Sequence, residues 1–267
     1  MPSESDGKAA FVRWSLSDAC ATLCFMHAPA ASLIPIDMLL LAYRNGIFPM
    51  ADSRDDPELF WVEPKERAIF PLDEFHIGKS LRKVVRSDRF EVTLDTAFAE
   101  VMDACAAPRT GHPDSWISHR IQASYIALHD AGHAHSVECW QNGRLVGGLY
   151  GVSFDRVFCG ESMFSHADNA SKVALVWLVA MLKQAGYAVL DCQFMTDHLA
   201  SLGAAEIAQS DYVAMVRAAG DEPRIKLPEA YASLVSPPAA EGSGAGLAGA
   251  GLASPGKLIA QSLTQTS

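Results

Sequence analysis

Three consecutive strand-like segments between residues 135 and 164, the first two of which alternate apolar and polar side chains, constrain the fold of this chain most strongly. Residues 135–140 alternate, Asn142-Gly143 is a pair typical of a two-residue hairpin turn with positive φ, and residues 144–152 alternate again. Another strand is expected at 156–158 and leads into 159–164. The pattern predicts an antiparallel meander.

A long apolar segment after the meander predicts a buried helix. Asp168, Asn169 or Ser171 can cap its start, its centre at 173–182 is apolar on all sides, and Gly186 ends it. Other helices are expected at 36–43, 197–202 and 210–219. Strands combined with a buried helix predict an α/β or α+β fold with a central, mainly antiparallel sheet.

A further strand at 187–194 carries two polar residues. Asp191 and Gln193 are two positions apart, so they project on the same face of a strand. A carboxylate in such an apolar run must be paired or functional, and Glu161 adds a second carboxylate just after a strand end. The residues alone leave two interpretations open: hydrogen-bonded structural acids, or a functional pair.

The charge balance excludes some classes of protein. The 267 residues include 21 Lys and Arg against 31 Asp and Glu, which gives a formal net charge of −10. Non-specific nucleic-acid binding depends mostly on neutralising phosphates, so a protein that coats nucleic acid is disfavoured, although a local basic surface fits. Six cysteines without a CxxC pair indicate free thiols and a cytoplasmic location. The longest strongly apolar run, 173–182, is too short to span a membrane.

A local basic surface is predicted on one helix. The spacing i, i+3, i+4 and i+7 places four cations on one helical face: Lys79, Arg82, Lys83 and Arg86. Within 76–90, five basic residues stand against Asp88 alone. The charge pattern fits either an ordinary solvated face or a surface for nucleic-acid phosphates.

The histidines and glycines near the meander do not form a recognised ligand motif. His129, His133 and His135 have the spacing H-x3-H-x-H, but no HExxH glutamate is present and Gly132 weakens a helix there, so no metal site is expected. The glycines form neither GxGxxG nor GxxxxGK: Gly143, Gly147, Gly148 and Gly151. Glycines in strands are typical of a sheet surface that a ligand or another segment of backbone approaches closely.

Both ends of the chain are expected to lie outside the folded part. Residues 1–25 carry acidic residues where a signal peptide needs positive charge, so 1–32 is predicted to be a disordered extension. Either translation begins at Met26 or the first 25 residues are dispensable. Residues 236–255 are almost wholly Ser, Pro, Ala and Gly, so 228–267 is predicted to be a disordered, low-complexity tail.

A series of motifs in order along the chain resembles the leucyl/phenylalanyl-tRNA–protein transferases. They extend over about residues 34–219 and together are far more specific than any single motif. The motifs are Tyr43-Arg44-Asn45-Gly46-Ile47-Phe48-Pro49, Trp61-x-x-Pro64-x-x-Arg67, Trp116-Ile117, Leu128-His129-x-x-Gly132-His133-x-His135-Ser136-x-Glu138-x-Trp140, Leu145-Val146-Gly147-Gly148-x-Tyr150-Gly151-Val152, Phe158-x-Gly160-Glu161-Ser162-Met163-Phe164-Ser165, Asn169-Ala170-Ser171-Lys172, Asp191-Cys192-Gln193 and His198-x-x-Ser201-x-Gly203-Ala204.

The resemblance implies a function. Members of this family move Leu or Phe from aminoacyl-tRNA onto proteins with N-terminal Arg or Lys, which marks those proteins for N-degron proteolysis. The implied architecture is a small N-terminal domain, here 33–75, followed by an acyltransferase domain similar to the GNAT superfamily, here 76–227. The implied enzyme needs no coenzyme A or other cofactor, works away from membranes and acts as a monomer.

The resemblance also implies the site. Asp191 and Gln193 would lie at the reaction centre with Glu161 in the same site, and it stays open whether Asp191 takes a proton or only positions other groups. The aminoacyl pocket and the adenosine site would involve Leu149, Phe158, Gly160, Met163, Leu182, Leu190, Trp61 and Trp116. Leu149 and Leu182 stand where better-known members carry Met and Phe. The basic face at 79–86 would then bind tRNA phosphates.

Two alternatives belong to other classes. A coenzyme A-dependent GNAT-type N-acyltransferase would need a Gly-rich pyrophosphate loop before the Asn169 helix, and the sequence has none there. A non-catalytic tRNA-binding module would not need Asp191, Gln193 and Glu161 together.

Overall fold

The computed structural model describes residues 10–12, 32–75, 77–108, 114–236 and 254–263. Its helices are α1 (Ile36–Arg44), α2 (Lys79–Arg86), α3 (Phe98–Ala106), α4 (His119–Asp130), α5 (Ala170–Ala185), α6 (Asp197–Ala200), α7 (Gln209–Ala218), α8 (Leu227–Val235) and α9 (Pro255–Ser262). Its strands are β1 (Ala10–Val12), β2 (Phe48–Met50), β3 (Phe60–Glu63), β4 (Glu66–Phe70), β5 (Glu91–Leu94), β6 (Ala134–Gln141), β7 (Arg144–Phe154), β8 (Val157–Ser165), β9 (Val189–Gln193) and β10 (Ala205–Ala208).

A large mixed sheet organises the fold. Its seven strands have the order β10-β4-β9-β8-β7-β6-β5, and all neighbours are antiparallel except β8 and β9. Helix α5 makes the crossover that a parallel pair requires. A smaller sheet has the order β1-β3-β2. The expected fold class, mixed α and β with a central, mainly antiparallel sheet, is confirmed.

The hairpin between β6 and β7 forms where the sequence predicts it. Gln141 pairs with Arg144, and the two residues between them have positive φ, 53° at Asn142 and 70° at Gly143. This is the backbone conformation that the Asn-Gly pair favours in a two-residue turn. The meander of β6, β7 and β8 is therefore confirmed.

Helix α5 is buried along almost its whole length, as expected from its uniformly apolar centre. Gly186 ends it in the left-handed region, with φ 80°. The start of the helix lies directly on β7, because a Cβ at Gly147 would stand 2.4 Å from the Cβ of Ala170. The close approach predicted from the strand glycines is thus made by α5.

The large sheet is covered on both faces. Leu149 and Phe158 point to one face, which packs against α2, α5, α8 and α9 and is called the α5 face below. Their neighbours Tyr150 and Cys159 point to the other, which packs against α1, α3, α4 and α7 and is called the α4 face. The site described below is lined by residues of β7, β8 and β9, including Leu149 of the α5 face and Tyr150 of the α4 face.

The tail is partly ordered, so the expected disorder of 228–267 is wrong for α8 and α9. Leu227 and Ala230 in α8 and Ile259 in α9 are buried in the core of the α5 face. Short apolar groups flank the low-complexity stretch and bury enough surface to order both helices. Residues 237–253 and 264–267 lie outside the described residues.

Two predictions about the N-terminal part also need correction or qualification. The expected disorder of 1–32 is wrong for β1, whose backbone pairs with β3. Residues 1–9 and 13–31 lie outside the described residues, and so does Met26, the suggested start of translation. Strand β4 falls in the range 33–75 assigned to a small N-terminal domain, yet it pairs with β9 and β10 of the large sheet.

The remaining physical predictions concern thiols and membranes. The described cysteines, Cys105, Cys139, Cys159 and Cys192, are free, and Cys20 and Cys24 lie outside the described residues. Across the part of the chain that the structure describes, every helix is too short or too polar to cross a bilayer.

Candidate active site

A cavity of ≈ 630 Å³ opens beside the parallel pair β8 and β9, and is called the central cavity. Apolar side chains form most of its wall: Phe48, Met50, Trp116, Leu149, Met163, Leu175, Leu178, Leu190, Phe194 and Leu199. Its polar side chains include Tyr150, Glu161, Ser162, Gln193 and Thr196. An apolar cavity with a few convergent polar groups is the usual form of a small-molecule site.

Glu161 reaches the cavity because β8 is irregular at this point. In the pairing with β7, Tyr150 lies opposite Ser162 and Gly151 lies opposite Gly160, so Glu161 is the extra residue of a β-bulge. Gly151 permits the close packing of this bulge, since a Cβ there would stand 2.3 Å from the carbonyl oxygen of Cys159. The bulge redirects the carboxylate from the regular alternation of the strand.

Gln193 holds one oxygen of Glu161. It ends β9 at a tight turn with φ 63°, where the N–H of Phe194 donates 2.8 Å to the carbonyl of Cys192. From there its Nε2 donates a hydrogen bond of 2.8 Å to Glu161 Oε1. Glu161 Oε2 is buried and accepts no close hydrogen bond from the described residues, although the hydroxyl of Tyr43 lies near enough to lower the pKa of the carboxyl group. One carboxylate oxygen is therefore fixed, and the other is left for a further partner.

The environment of Glu161 favours the neutral carboxyl group. Burial raises its pKa to about 7, although hydrogen bonding with the Tyr43 hydroxyl and with Gln193 acts in the opposite direction. Only 8% of the residue is exposed. A carboxyl group with this pKa exchanges its proton readily near neutral pH, which is the property of a general acid or base.

Asp191 lies behind Gln193, outside the residues that line the cavity. It is fully buried and receives hydrogen bonds from the backbone N–H of Gln193 at 2.8 Å and from Tyr212 Oη at 3.1 Å. The guanidinium of Arg67 makes a two-point ion pair with it, through Nε at 3.2 Å and through Nη2. These partners occupy both oxygens, so Asp191 is arranged to hold its neighbours in place.

Arg67 was noted in the sequence only as part of a motif, and its ion pair with Asp191 was not predicted. It lies fully buried in β4, donates from Nη1 to the carbonyl of Gly46 at 3.1 Å, and stands 4.3 Å over the ring of Tyr212. Burial lowers its pKa, but the charge of Asp191 outweighs this and raises the pKa above its ordinary value. The available signal in the sequence was the position of this arginine directly before the apolar residues Ala68-Ile69-Phe70. A charged residue next to such a run is expected to have a partner of opposite charge if it is buried.

A group of buried tyrosines on the α4 face was also missed as part of the site. The hydroxyls of Tyr43 and Tyr125 hydrogen-bond each other. Burial raises the pKa of both, and the charge of Glu161 raises it further. The hydroxyl of Tyr150, which lines the cavity, is buried without a partner among the described residues. Tyrosine at an otherwise apolar position of α1, α4 or β7 was the available signal.

The cavity contains some, but not all, of the predicted site residues. Those that line it are Trp116, Leu149, Gly160, Glu161, Met163, Leu190 and Gln193. Phe158 and Leu182 belong to the core of the α5 face, are fully buried and do not line it. Trp61 lies on β3 and does not line it either. Asp191 does not line it, and its charge is paired with Arg67.

The histidines have partners of their own. His129 stacks on Phe98, with ring centroids 4.3 Å apart, and its Nδ1 hydrogen-bonds the carbonyl of Ala134 at 2.8 Å. His135 hydrogen-bonds Asp95 at 2.7 Å. In the ranges that the structure describes, no three His, Cys, Asp or Glu side chains converge as metal ligands.

The predicted cations share one face of α2 and line an open cleft. Lys79, Arg82, Lys83 and Arg86 line it together with Ser87 and Lys257 of α9, and these six residues define the basic cleft. Leu81 and Val85 occupy the opposite, buried side of the helix. The expected helix and the shared face are confirmed.

Comparisons with known proteins place the chain in a family. A family profile described as leucyl/phenylalanyl-tRNA protein transferase matches residues 69–217, and the profile of its N-terminal domain matches 34–65. A protein of Novosphingobium aromaticivorans named leucyl/phenylalanyl-tRNA–protein transferase is 58% identical over 255 residues, which is 88% of this chain and 97% of that protein. One of the same name from Rhizorhabdus wittichii is 59% identical over 180 residues, 67% of this chain and 73% of that protein.

Likeness to solved structures is weaker. The structure of L-PGS from Bacillus licheniformis has a TM-score of 0.33 at 15% identity, covering 62% of this chain and 55% of that chain. A likeness at that level carries no functional information. The profile matches and the identity over nearly the full chain are decisive: the chain belongs to the leucyl/phenylalanyl-tRNA–protein transferase family.

Proposed function

We propose that this protein transfers leucine or phenylalanine from aminoacyl-tRNA to the α-amino group of proteins with N-terminal Arg or Lys, and so marks them for N-degron proteolysis. The observation that carries the proposal is the central cavity, an apolar wall with the unpartnered Glu161 Oε2 and Tyr150 hydroxyl beside it. The names of the relatives support the same activity.

The apolar wall suits the side chain of the transferred residue. Leu149, Leu175 and Leu178 give a surface without charge, on which burial of a Leu or Phe side chain is worth roughly 1.5–3 kcal/mol. A charged side chain would lose its hydration there without gaining a partner. The cavity therefore favours aminoacyl groups with large apolar side chains.

The unpartnered polar atoms suit the reacting end of the substrate. In this reaction the acceptor amine attacks the ester carbonyl, a carbon–nitrogen bond forms, and the bond to the terminal ribose oxygen breaks. Glu161 Oε2 takes the proton that the amine releases and returns a proton to the leaving ribose oxygen. A carboxyl group with a pKa of about 7 can do both near neutral pH. Holding the two reactants together supplies much of the acceleration, up to about 7–11 kcal/mol in favourable cases.

In this proposal Asp191 is a positioning residue. It fixes the backbone of Gln193, and the side chain of Gln193 fixes Glu161. The ion pair with Arg67 joins this group to β4 and, through the carbonyl of Gly46, to the end of α1. The reacting carboxylate is thus held by a chain of buried contacts, which is how precise geometry is maintained in active sites.

The tRNA body is assigned to the surface outside the cavity. The cations of α2 bind backbone phosphates, and Trp116 at the wall of the cavity offers a stacking surface for the terminal adenosine. Trp61 lies on β3 and does not line the cavity, so in this proposal it contacts the adenosine outside the cavity. The protein acts as a monomer in the cytoplasm, where charged tRNA is found, and requires no cofactor because the ester is already activated.

A transfer assay tests the proposal directly. The full chain is incubated with labelled Leu-tRNA, Phe-tRNA or Val-tRNA and with peptides that begin with Arg, Lys or Ala. Labelled peptide is expected from Leu-tRNA and Phe-tRNA with Arg or Lys acceptors, and much less from Val-tRNA or the Ala peptide. Equal transfer to all three peptides would contradict the acceptor preference, and no transfer from any charged tRNA would contradict the function.

A further inference from the structure

The C-terminal helix α9 lies beside α2 and adds a fifth cation to the basic cleft. Lys257, the third residue of α9, is exposed and lines the same cleft as Lys79, Arg82, Lys83 and Arg86. The two helices are separated by some 170 positions in the sequence, and α9 lies beyond residue 217, where the family profile ends. Lys257 therefore lies outside the segment that the family profile matches.

Helix α9 is held against α2 by specific contacts. The N–H of Gly256 donates 2.9 Å to Asp88 Oδ1, just after the end of α2. A Cβ at Gly256 would stand 2.1 Å from the carbonyl oxygen of Val85, so only glycine allows this approach. Ile259, Ala260 and Leu263 are buried in the core of the α5 face. These contacts fix the position of Lys257 relative to the cations of α2.

The charges around the cleft are unbalanced in the protein alone. None of its five cations makes an ion pair with any residue in the described part of the chain. Like charges spaced i, i+3 and i+4 along α2 destabilise a helix, and its first turn has no acidic residue to offset them. In a chain of net charge −10, such an arrangement fits a bound polyanion far better than a neutral partner.

We propose that α9 is part of the tRNA site and that Lys257 binds a backbone phosphate next to those bound by α2. This inference rests on the proposed function, because it takes the polyanion to be the tRNA substrate. Helix α2 and helix α9 approach the cleft from two sides, so they contact successive phosphates of one strand. The C-terminal segment then serves to complete the substrate surface, beyond the segment that the family profile matches.

Binding of uncharged tRNA at several salt concentrations tests this. Lys257→Gln is compared with Lys83→Gln on α2 and with Arg217→Gln, which removes one charge from the exposed part of α7, a helix of the opposite face of the sheet. We expect Lys257→Gln and Lys83→Gln each to weaken binding about fivefold, as for one exposed ion pair, and to lower the salt slope by about one. Arg217→Gln is expected to bind as wild type.

The outcomes separate the two proposals. Wild-type binding by Lys257→Gln, together with weakened binding by Lys83→Gln, would overturn the role of α9 and leave the function intact. If neither variant weakens binding, or if Arg217→Gln weakens it equally, the cleft has no specific role. Absence of transfer from charged tRNA by the wild type would contradict the proposed function itself.

A second variant tests the position of α9 without changing charge. Gly256→Ala must displace α9 from Val85, so it is expected to weaken tRNA binding at least as much as Lys257→Gln. Adding Lys257→Gln to Gly256→Ala should then have little further effect, since the lysine has already lost its place. Full additivity of the two changes would show that Lys257 acts independently of the packing of α9.

Discussion

Gln193 donates a hydrogen bond of 2.8 Å from its side-chain amide to Glu161, although 32 positions of sequence separate them. The same residue donates from its backbone, also at 2.8 Å, to the buried Asp191. Gln193 thus connects an acid that faces the cavity with an acid that faces the core. This arrangement assigns different roles to the two carboxylates and leads to separate predictions for them.

Glu161→Gln is expected to remove the pH dependence that Glu161 gives to transfer. In the wild type the carboxylate must be deprotonated to accept a proton, so the rate rises as pH increases through about 7, the pKa of Glu161. The variant should transfer at least about a hundredfold more slowly and keep only the pH dependence of the acceptor amine. Single-turnover rates between pH 5.5 and 8.5 make the comparison. An unchanged profile would show that Glu161 takes no part in proton transfer.

The same variant is expected to change the pH dependence of stability. The pKa of Glu161 is about 7 when folded against an ordinary value of 4.5, so the folded state keeps a proton that the unfolded chain releases in this window. The free energy of unfolding therefore falls as pH rises from 4.5 to 7, by about 3 kcal/mol when complete. Glu161→Gln lacks this loss, so its stability relative to wild type should increase over that range. Urea unfolding of both proteins at pH 5 and pH 8 measures the difference, and a constant difference would contradict the raised pKa.

Asp191→Asn is expected to destabilise the fold. It leaves the buried guanidinium of Arg67 without its counter-charge, and breaking such a pair costs about 3–5 kcal/mol. Transfer should fall as well, because asparagine keeps only one acceptor oxygen and turns an NH2 group toward either Arg67 or the backbone N–H of Gln193, which disturbs the support of Gln193. Thermal unfolding and transfer rates below the melting temperature separate the two effects.

The double variant Arg67→Met with Asp191→Asn provides the control. Removing the partner charge should recover part of the stability that Asp191→Asn loses, since no unpaired charge is left buried. Transfer should stay low in both, because both lack the ion pair that fixes Asp191 beside Gln193. A double variant less stable than the sum of the single losses would argue against a simple ion pair.

Local patterns in the sequence were sufficient to predict much of the fold. The Asn142-Gly143 hairpin and the buried helix α5 follow from turn chemistry and from the period of apolar residues, which depend on neighbours along the chain. The ion pair between Arg67 and Asp191 depends on the register of β4 against β9, 124 positions apart, with an irregularity in between. No local pattern specifies that register, so the partner of Asp191 could not be predicted.

The site was predicted in the same uneven way. Glu161 and Gln193 were identified from motif resemblance, but the direction of Glu161 depends on a β-bulge that pairs it with no residue of β7. Phe158 was placed at the pocket, yet it is fully buried in the core of the α5 face and does not line the cavity. Helix α9 was missed because its short apolar segment follows a low-complexity stretch. In each case tertiary contact, rather than sequence pattern, decided the position.

Single substitutions on α2 are expected to weaken binding of every aminoacyl-tRNA alike. Lys79, Arg82 and Arg86 line the basic cleft and not the central cavity, so replacing any one by Gln should lower affinity for Leu-tRNA and Phe-tRNA by the same factor. Removing one cation that binds a phosphate should reduce the salt slope by about one. Filter binding of both charged tRNAs at three salt concentrations would check this. A variant that discriminates between the two would place that side chain near the amino acid instead.

Leu149→Phe is expected to change the preference between the two amino acids. Leu149 lines the central cavity from β7, so a larger ring there takes space from the transferred side chain. Phenylalanine needs more of that space than leucine, and differences of this size in an apolar pocket are worth about 1–3 kcal/mol. Transfer from Phe-tRNA should fall by about tenfold or more relative to Leu-tRNA.

Leu182→Phe is the matched control for Leu149→Phe, because Leu182 is fully buried and does not line the cavity. It should lower the melting temperature through overpacking and leave the Phe to Leu ratio of kcat/KM unchanged. A ratio altered by Leu182→Phe and not by Leu149→Phe would place the amino-acid pocket elsewhere in the core of the α5 face, away from the central cavity.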